Sequence, residues 1–119
     1  MLPRRSRLGR RGIEALYRSR TDRVHSAHLT LIFSPAPQHR WSVVISKKVA
    51  RRAVARNHLK RQLAALLREG VLPALSPCHG LLVAKKGAAE LSFSELREEV
   101  ATLIKAASRR RAPPGDEMR

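Results

Sequence analysis

The chain has 119 residues, which is the length of one small domain and leaves no room for a second independent core. It contains 25 lysine and arginine residues against 9 aspartate and glutamate residues, a formal net charge of +16, and aromatic residues make up only 3%. No apolar run approaches the roughly 20 residues that span a bilayer, the basic start lacks the apolar core of a secretory signal, and the single cysteine, Cys78, cannot form an internal disulfide. We therefore expect a basic, cytoplasmic protein that does not enter a membrane.

The positive charge is concentrated in the first part of the chain. Residues 1–68 contain 17 cationic and 2 acidic side chains, and no carboxylate occurs between Arg23 and Arg68. Because an exposed helix that is merely soluble usually mixes glutamate with lysine, this long acid-free run indicates a polyanionic partner such as a nucleic acid.

The first half of the chain predicts one helix and two strands. Residues 1–12 are rich in arginine and glycine and form a basic N-terminal segment. Apolar side chains three and four positions apart predict a short helix over 13–20. Alternating apolar residues predict strands over 27–33 and 40–46, which the proline-containing turn at 34–39 would join into an antiparallel hairpin.

The second half predicts a helix, a strand and a helix. A basic loop over 47–52 leads into a helix over 53–69, for which Gly70 is the expected stop. The apolar run 80–84 predicts a buried strand. Ser92 begins the last helix, because the sequence Ser-Phe-Ser-Glu has the spacing of a capping box.

These elements predict a single small α+β domain in the order helix-strand-strand-helix-strand-helix, with the helices packed on one sheet. The folded domain is expected over residues 13–107. It lies between the basic N-terminal segment and a charged, proline-containing tail over 108–119, which we expect to be disordered.

The helix over 53–69 is amphipathic in an unusual way. On a helical wheel, four leucines fall on one face, which predicts its buried side. Asn57, Arg61 and Arg68 fall on the opposite face, and Arg56 and Lys60 lie on the border, where long stems can follow apolar surface while their charges reach solvent. An exposed face of guanidinium and amide groups is suited to phosphates and ribose hydroxyls. The four leucines are Leu59, Leu63, Leu66 and Leu67.

The run from Ser46 to Arg61, SKKVARRAVARNHLKR, resembles the arginine-asparagine-arginine signature of the bacterial ribonuclease P protein component. Weaker similarities occur in order along the chain, at Arg7-Leu8 and in LLVAKKGAAELSFSEL over 81–96. Together these segments span residues 7–107, nearly the whole predicted domain.

The resemblance implies an α/β fold with a left-handed strand-helix-strand crossover around residues 40–84. It also implies a subunit of the ribonucleoprotein endoribonuclease ribonuclease P. Such a subunit binds the catalytic RNA, and it holds the 5′ leader of precursor tRNA in a cleft between the sheet and the first helix. The RNA subunit carries out hydrolysis with Mg²⁺ that is held mainly on the RNA. The protein would then have no catalytic residue, no metal of its own and no small-molecule substrate.

Carried over by position, the resemblance assigns RNA binding to the loop and helix of the signature and, for base stacking, to an aromatic residue of the first helix. The expected RNA-binding residues are Tyr17, Ser46, Lys47, Lys48, Arg51, Arg52, Arg56, Asn57, Lys60, Arg61 and Arg68.

This sequence departs from the family pattern at several places. Arginine is usual at the position of His58, and Arg-Glu at that of Ala64 and Ala65, so we expect the RNA-facing helix to be barer on one side. Phenylalanine is usual near Ile13. Tyr17 remains either to stack on a leader base or to cover the apolar face of its own helix.

Other candidate sites are set aside. Trp41 is expected in the core, and His79 beside Cys78 lacks the further ligands of a structural zinc site. No carboxylate pair or nucleophile-base pair has a catalytic spacing, so the polypeptide alone should not be a catalyst.

The alternative function is that of a structural RNA-binding protein of the ribosomal type. A non-specific DNA-binding module and a stand-alone nuclease are further alternatives.

Overall fold

The computed structural model describes residues 7–18 and 21–110, with the backbone only at residues 71–73 and 110. The described residues form a single α+β domain, as predicted, with one strand more than the sequence pattern indicates. In chain order the elements are α1 (Arg10–Arg18), β1 (Asp22–His25), β2 (Leu29–Pro35), β3 (Arg40–Val44), α2 (Ala53–Ala74), β4 (Cys78–Ala84), a 3-10 turn (Ala88–Glu90) and α3 (Phe93–Arg110).

The helices at both ends of the domain extend past the predicted boundaries. α1 already begins at Arg10, inside the predicted basic N-terminal segment, and α3 continues to Arg110, beyond the predicted start of the tail at residue 108. The remaining parts of those two segments, residues 1–6 and 111–119, lie outside the described residues.

The sheet has the strand order β1-β2-β4-β3, so the predicted hairpin between the second and third strands is wrong. β4 lies between them, antiparallel to β2 and parallel to β3. Five of its seven residues are buried, and a strand with so little polar surface is stable only in the middle of a sheet. α2 supplies the crossover connection that a parallel pair of strands requires.

The sequence pattern missed β1, which forms one edge of the sheet. Its four residues include only one buried side chain, Val24, so there was no apolar alternation to detect. β1 pairs antiparallel with β2, and these two strands form the hairpin of the fold.

Helices cover both faces of the sheet. α2 and α3 lie over the larger core, in which Trp41 is 2% exposed, as expected for a core residue. α1 lies on the opposite face, where Leu8 and Leu16 pack against Ile32 and Leu81. The sheet therefore separates α1 from α2.

Gly70 does not end α2, which continues to Ala74. A Cβ atom at Gly70 would lie 2.5 Å from the Cδ1 atom of Ile104 on α3. The glycine therefore allows α2 and α3 to approach closely, and packing rather than helix termination explains its presence.

The capping box at the start of α3 is confirmed. The Ser92 backbone N–H donates to Glu95 Oε1 at 2.9 Å, and the Glu95 N–H donates to Ser92 Oγ at 3.2 Å. These hydrogen bonds hold the pKa of Glu95 below its ordinary value.

A polar cluster fastens α3 to the turn between β1 and β2. Glu99 Oε1 accepts hydrogen bonds from the Ser26 hydroxyl at 2.5 Å and the His28 backbone N–H at 3.0 Å, and Glu99 Oε2 lies 2.6 Å from His28 Nδ1. Lys85 Nζ donates to the Ser26 carbonyl at 2.6 Å. Burial alone would raise the pKa of Glu99, but the hydrogen bonds from Ser26 and His28 outweigh it, and the pKa lies below its ordinary value.

Replacement of Glu99 by glutamine is expected to lower the free energy of unfolding at pH 7 by about 1–3 kcal/mol, because it removes charged hydrogen bonds from a partly buried site. A carboxyl group with a lowered pKa stabilises the fold above its unfolded-state pKa and loses this effect as pH falls through the folded value. The difference between wild type and Glu99→Gln should therefore shrink below about pH 4.5, the ordinary value for the group. Chemical denaturation of both proteins at several pH values measures this difference in the free energy of unfolding. Glu98→Gln, at the exposed neighbouring position, is the control, and equal losses in both variants would contradict the assignment.

Candidate nucleic-acid interface

The loop between β3 and α2 forms an exposed cationic turn. The backbone N–H groups of Val49 and Ala50 both donate to the Ser46 carbonyl, at 3.0 and 3.3 Å, and this folds the chain into a tight turn. Lys47 and Lys48 lie at its tip with exposed side chains. Both ammonium groups therefore point away from the core, directly before the first turn of α2.

Arg56 braces this loop from within the helix. Its Nη1 atom donates to the carbonyls of Ala50 and Arg51, at 3.0 and 2.7 Å, and the side chain is half-buried. The helical wheel placed Arg56 on the border of the buried face, but the sequence did not show that its guanidinium would bind the backbone of its own loop. Arg56 thus has a structural role, whatever further contact its remaining N–H groups make.

The helical-wheel prediction for α2 is confirmed by the burial of its side chains. The four leucines of the predicted stripe are buried, whereas Asn57, Lys60 and Arg61 are exposed. No carboxylate of the described residues lies within ion-pair distance of Lys60 or Arg61. We call the exposed side chains of this loop and helix the cationic face. It consists of Ser46, Lys47, Lys48, Arg51, Arg52, Asn57, Lys60, Arg61 and Arg68.

The alanines at 64 and 65 do not leave this face barer, contrary to expectation. Ala64 is buried in the main core and Ala65 is half-buried, so both continue the apolar side of α2. The exposed face contains instead an apolar residue that sequence reasoning missed. Val54 is 78% exposed and precedes Asn57 and Arg61 by one and two helical turns.

Tyr17 does not join the cationic face. It lies on α1, on the other side of the sheet, and its side chain is 54% exposed. The structure therefore places nine of the eleven expected RNA-binding residues on the cationic face, Arg56 against its own loop, and Tyr17 on α1, the helix that borders a second surface.

That second surface is a cleft between α1 and the end of the sheet where β2 ends and β3 and β4 begin. It has a volume of about 590 Å³, and a smaller pocket of about 210 Å³ continues it along α1 beside Leu16. We call this pair of cavities the α1 cleft. The side chains that can contact a ligand through charge or hydrogen bonds are those of Arg10, Arg11, Gln38, Arg40, His79 and Ser34.

The electrostatics of the α1 cleft depend on a cross-strand pair. Arg40 of β3 and His79 of β4 are partners in the parallel ladder, and their side chains stand on the α1 face of the sheet. Burial, and then the neighbouring Arg40 guanidinium, hold the pKa of His79 below its ordinary value. His79 is therefore neutral at physiological pH.

The comparisons with known proteins agree on one family. The model of the family described as Ribonuclease P matches residues 2–108. A ribonuclease P protein component from Microcystis aeruginosa is 39% identical over 92 residues, which cover 71% of this chain and 76% of the relative. One from a Synechococcus strain is 39% identical over 115 residues, which cover 90% of this chain and 85% of the relative. The chain belongs to the ribonuclease P protein family.

The fold of this ribonuclease P protein is also that of solved structures. The ribonuclease P protein from Thermotoga maritima superposes with a TM-score of 0.74 at 20% identity, covering 84% of this chain and 96% of that one. The Staphylococcus aureus protein superposes with a TM-score of 0.73 at 16% identity, covering 83% and 91%. At such identities the likeness establishes the fold alone. The roles of individual residues must be inferred from the side chains of this chain.

As a ribonuclease P protein, the chain is a subunit of a ribonucleoprotein endoribonuclease that processes tRNA. Within residues 7–18 and 21–110, no group of three or more histidine, cysteine, aspartate or glutamate side chains lies together as a metal site would require. No helix in the same part of the chain is long and apolar enough to cross a membrane.

Proposed function

We propose that this ribonuclease P protein binds the catalytic RNA through its cationic face and holds the 5′ leader of precursor tRNA in the α1 cleft. Contacts at both surfaces would hold the leader beside the RNA active site and so promote cleavage at the 5′ end of the tRNA.

The observation that carries the proposal is the composition of the cationic face. Its cations come from one loop and one helix face, all of them exposed, and the sequence places no carboxylate among them. Forked guanidinium groups and ammonium groups bind phosphate oxygens through charged hydrogen bonds. A face that must merely remain soluble does not need seven such groups with no carboxylate between them in the sequence.

The α1 cleft supports the second part of the proposal because it differs from the cationic face in shape. The cationic face is an exposed loop and helix surface that suits a structured RNA, whereas the α1 cleft is a cavity between a helix and a sheet. A single strand, whose backbone and bases are both accessible, fits a cavity of this kind. Tyr17 on α1 offers one aromatic ring for stacking, so leader binding should depend more on charge than on aromatic contacts.

In this proposal Mg²⁺ is bound mainly by the catalytic RNA. Mg²⁺ prefers carboxylate and phosphate oxygens, and the cationic face offers no carboxylate. Bound to the catalytic RNA, the metal would activate water and neutralise charge at the scissile phosphodiester. The protein's contribution is to lower the repulsion between RNA phosphates that otherwise opposes docking.

Reconstitution with the cognate catalytic RNA at low magnesium concentration tests the function, with leader release as the readout. If about six phosphates are neutralised, the logarithm of the association constant should fall with the logarithm of salt concentration with a slope of about −4 to −5. A salt-independent association constant, or equal cleavage with and without the protein, would contradict the proposal. Recovery of ribosomal RNA alone with the protein from cells would favour a ribosomal-type structural role instead.

A further inference from the structure

In the α1 cleft, the side chains of Gln38 and Arg40 hold each other in place. Gln38, oriented so that its oxygen faces Arg40, accepts hydrogen bonds from Arg40 Nη2 at 2.9 Å and Nε at 3.2 Å. A guanidinium group has five N–H donors, so this contact fixes the plane of the group and leaves the Nη1 edge available. Among the described residues, no carboxylate pairs with Arg40.

His79 stands beside this guanidinium at the junction of the two cavities and lines both of them. No hydrogen bond joins its ring to the described part of the chain, although the residue is partly buried. The ring lines both cavities, so a ligand group in the cleft can hydrogen-bond to it.

We propose that Arg40 and His79 together form a phosphate-binding subsite of the α1 cleft, occupied by a phosphodiester of the 5′ leader. The inference rests on the proposed function, because it takes the leader strand to be the occupant. In this subsite Arg40 forks onto the phosphate oxygens, and His79 donates a hydrogen bond from the neighbouring strand. The cleft volume of about 590 Å³ lies within the range of small-ligand sites, so a nucleotide has room there.

The leader is a better occupant than the catalytic RNA because of where the subsite lies. Arg40 begins β3, whereas the lysines of the cationic face follow the other end of the same strand. At about 3.3 Å per residue, six or seven residues separate the two surfaces by roughly 20 Å. One strand can therefore occupy the cleft while a separate RNA surface covers the cationic face.

The subsite couples leader binding to proton uptake. The charged groups that line the cleft with His79 are Arg40 from β3 and Arg10 and Arg11 from α1, while β2 contributes only the uncharged Ser34. Arg10 Nε is itself 3.7 Å from Glu14 Oε1 on the same helix. Burial, and after it the Arg40 guanidinium, disfavour the protonated ring in the free protein, and a phosphate between Arg40 and His79 favours it. Affinity for the leader should consequently increase as pH falls from 8 to 6, by at most tenfold per pH unit for one proton.

The test measures how tightly the holoenzyme, assembled from the full chain and the catalytic RNA, binds precursor tRNA with a leader and mature tRNA without one. Arg40→Gln should weaken binding of the leader-bearing tRNA roughly tenfold and leave binding of the leaderless tRNA unchanged. His79→Gln should remove the increase in leader affinity at low pH that wild type shows. Arg23→Gln is the matched control, since Arg23 is an exposed arginine on β1, outside the cleft. Thermal unfolding of each variant establishes that it is folded.

The outcomes separate this inference from the function on which it rests. If wild type discriminates leader-bearing from leaderless tRNA but both variants behave like Arg23→Gln, the subsite is wrong and the proposed function stands. If Arg40→Gln weakens assembly with the catalytic RNA as much as leader binding, the phosphate belongs to the catalytic RNA and the leader assignment is overturned. If a leader adds no affinity to the wild-type holoenzyme, the leader-binding part of the proposed function and this inference both fail.

Discussion

Replacing Lys60 and Arg61 together by alanine is expected to weaken assembly with the catalytic RNA by on the order of 100-fold. Each charged hydrogen bond to a phosphate contributes about 1.5 kcal/mol or more, and 1.4 kcal/mol corresponds to a factor of ten. The slope of the salt dependence should become shallower by about 2, because two phosphate contacts are lost. Thermal stability should change little, since both side chains are exposed and alanine is a good helix former.

The matched control for this variant is Lys105→Ala with Arg109→Ala. It removes the same two kinds of charge from exposed positions of a helix, but on α3, outside the cationic face. Filter binding or fluorescence titration against the catalytic RNA, across a range of salt concentrations, measures both variants. If the α3 variant loses as much affinity and salt dependence as the α2 variant, net charge alone governs binding and the cationic face is not the interface. Arg56 is unsuitable for this comparison, because it also braces the loop.

Gly80→Ala is expected to destabilise the fold by about 2–4 kcal/mol, because it overpacks the centre of the sheet. Gly80 pairs with Trp41 across β3 and β4, and a Cβ atom there would lie 2.1–2.5 Å from three carbon atoms of the indole ring. The ring cannot move aside freely, because it is buried and its Nε1–H donates to His39 Nδ1 at 3.2 Å. His39 Nε2 in turn lies 3.1 Å from the Leu75 carbonyl oxygen, so displacement of the ring would also disturb the segment between α2 and β4.

Chemical denaturation followed by the fluorescence of Trp41, the only tryptophan in the chain, measures this loss directly. Gly9→Ala is the matched control, since a Cβ atom at Gly9 meets nothing within 4 Å and the free energy of unfolding should remain within about 0.5 kcal/mol. Combining Gly80→Ala with Trp41→Leu should cost less than the two single changes together, because a smaller side chain at 41 removes the clash. A Gly80→Ala protein as stable as wild type would show that the ring does not constrain this position.

The features of this fold that follow local rules could be predicted from the sequence. The leucine stripe of α2 follows from a 3.6-residue period, and the capping box of α3 follows from two side chains three positions apart, so both could be located without a structure. The acid-free run from residue 23 to residue 68 likewise made the cationic face predictable, since long charged side chains remain exposed wherever the helix packs. The family signature could be identified because it lies within this same run.

The order of the strands, and the side-chain contacts between them, depend on long-range packing. β4 is inserted between β2 and β3 although it follows β3 by more than thirty residues, because its apolar surface is buried best at the centre of the sheet. Gly70 serves the contact with Ile104 rather than a helix end, and Arg40 faces His79 only because their two strands pair in parallel. These contacts join residues distant along the chain, where neither periodicity nor spacing carries information, and the free energy of burial over the whole domain selects among the possible pairings.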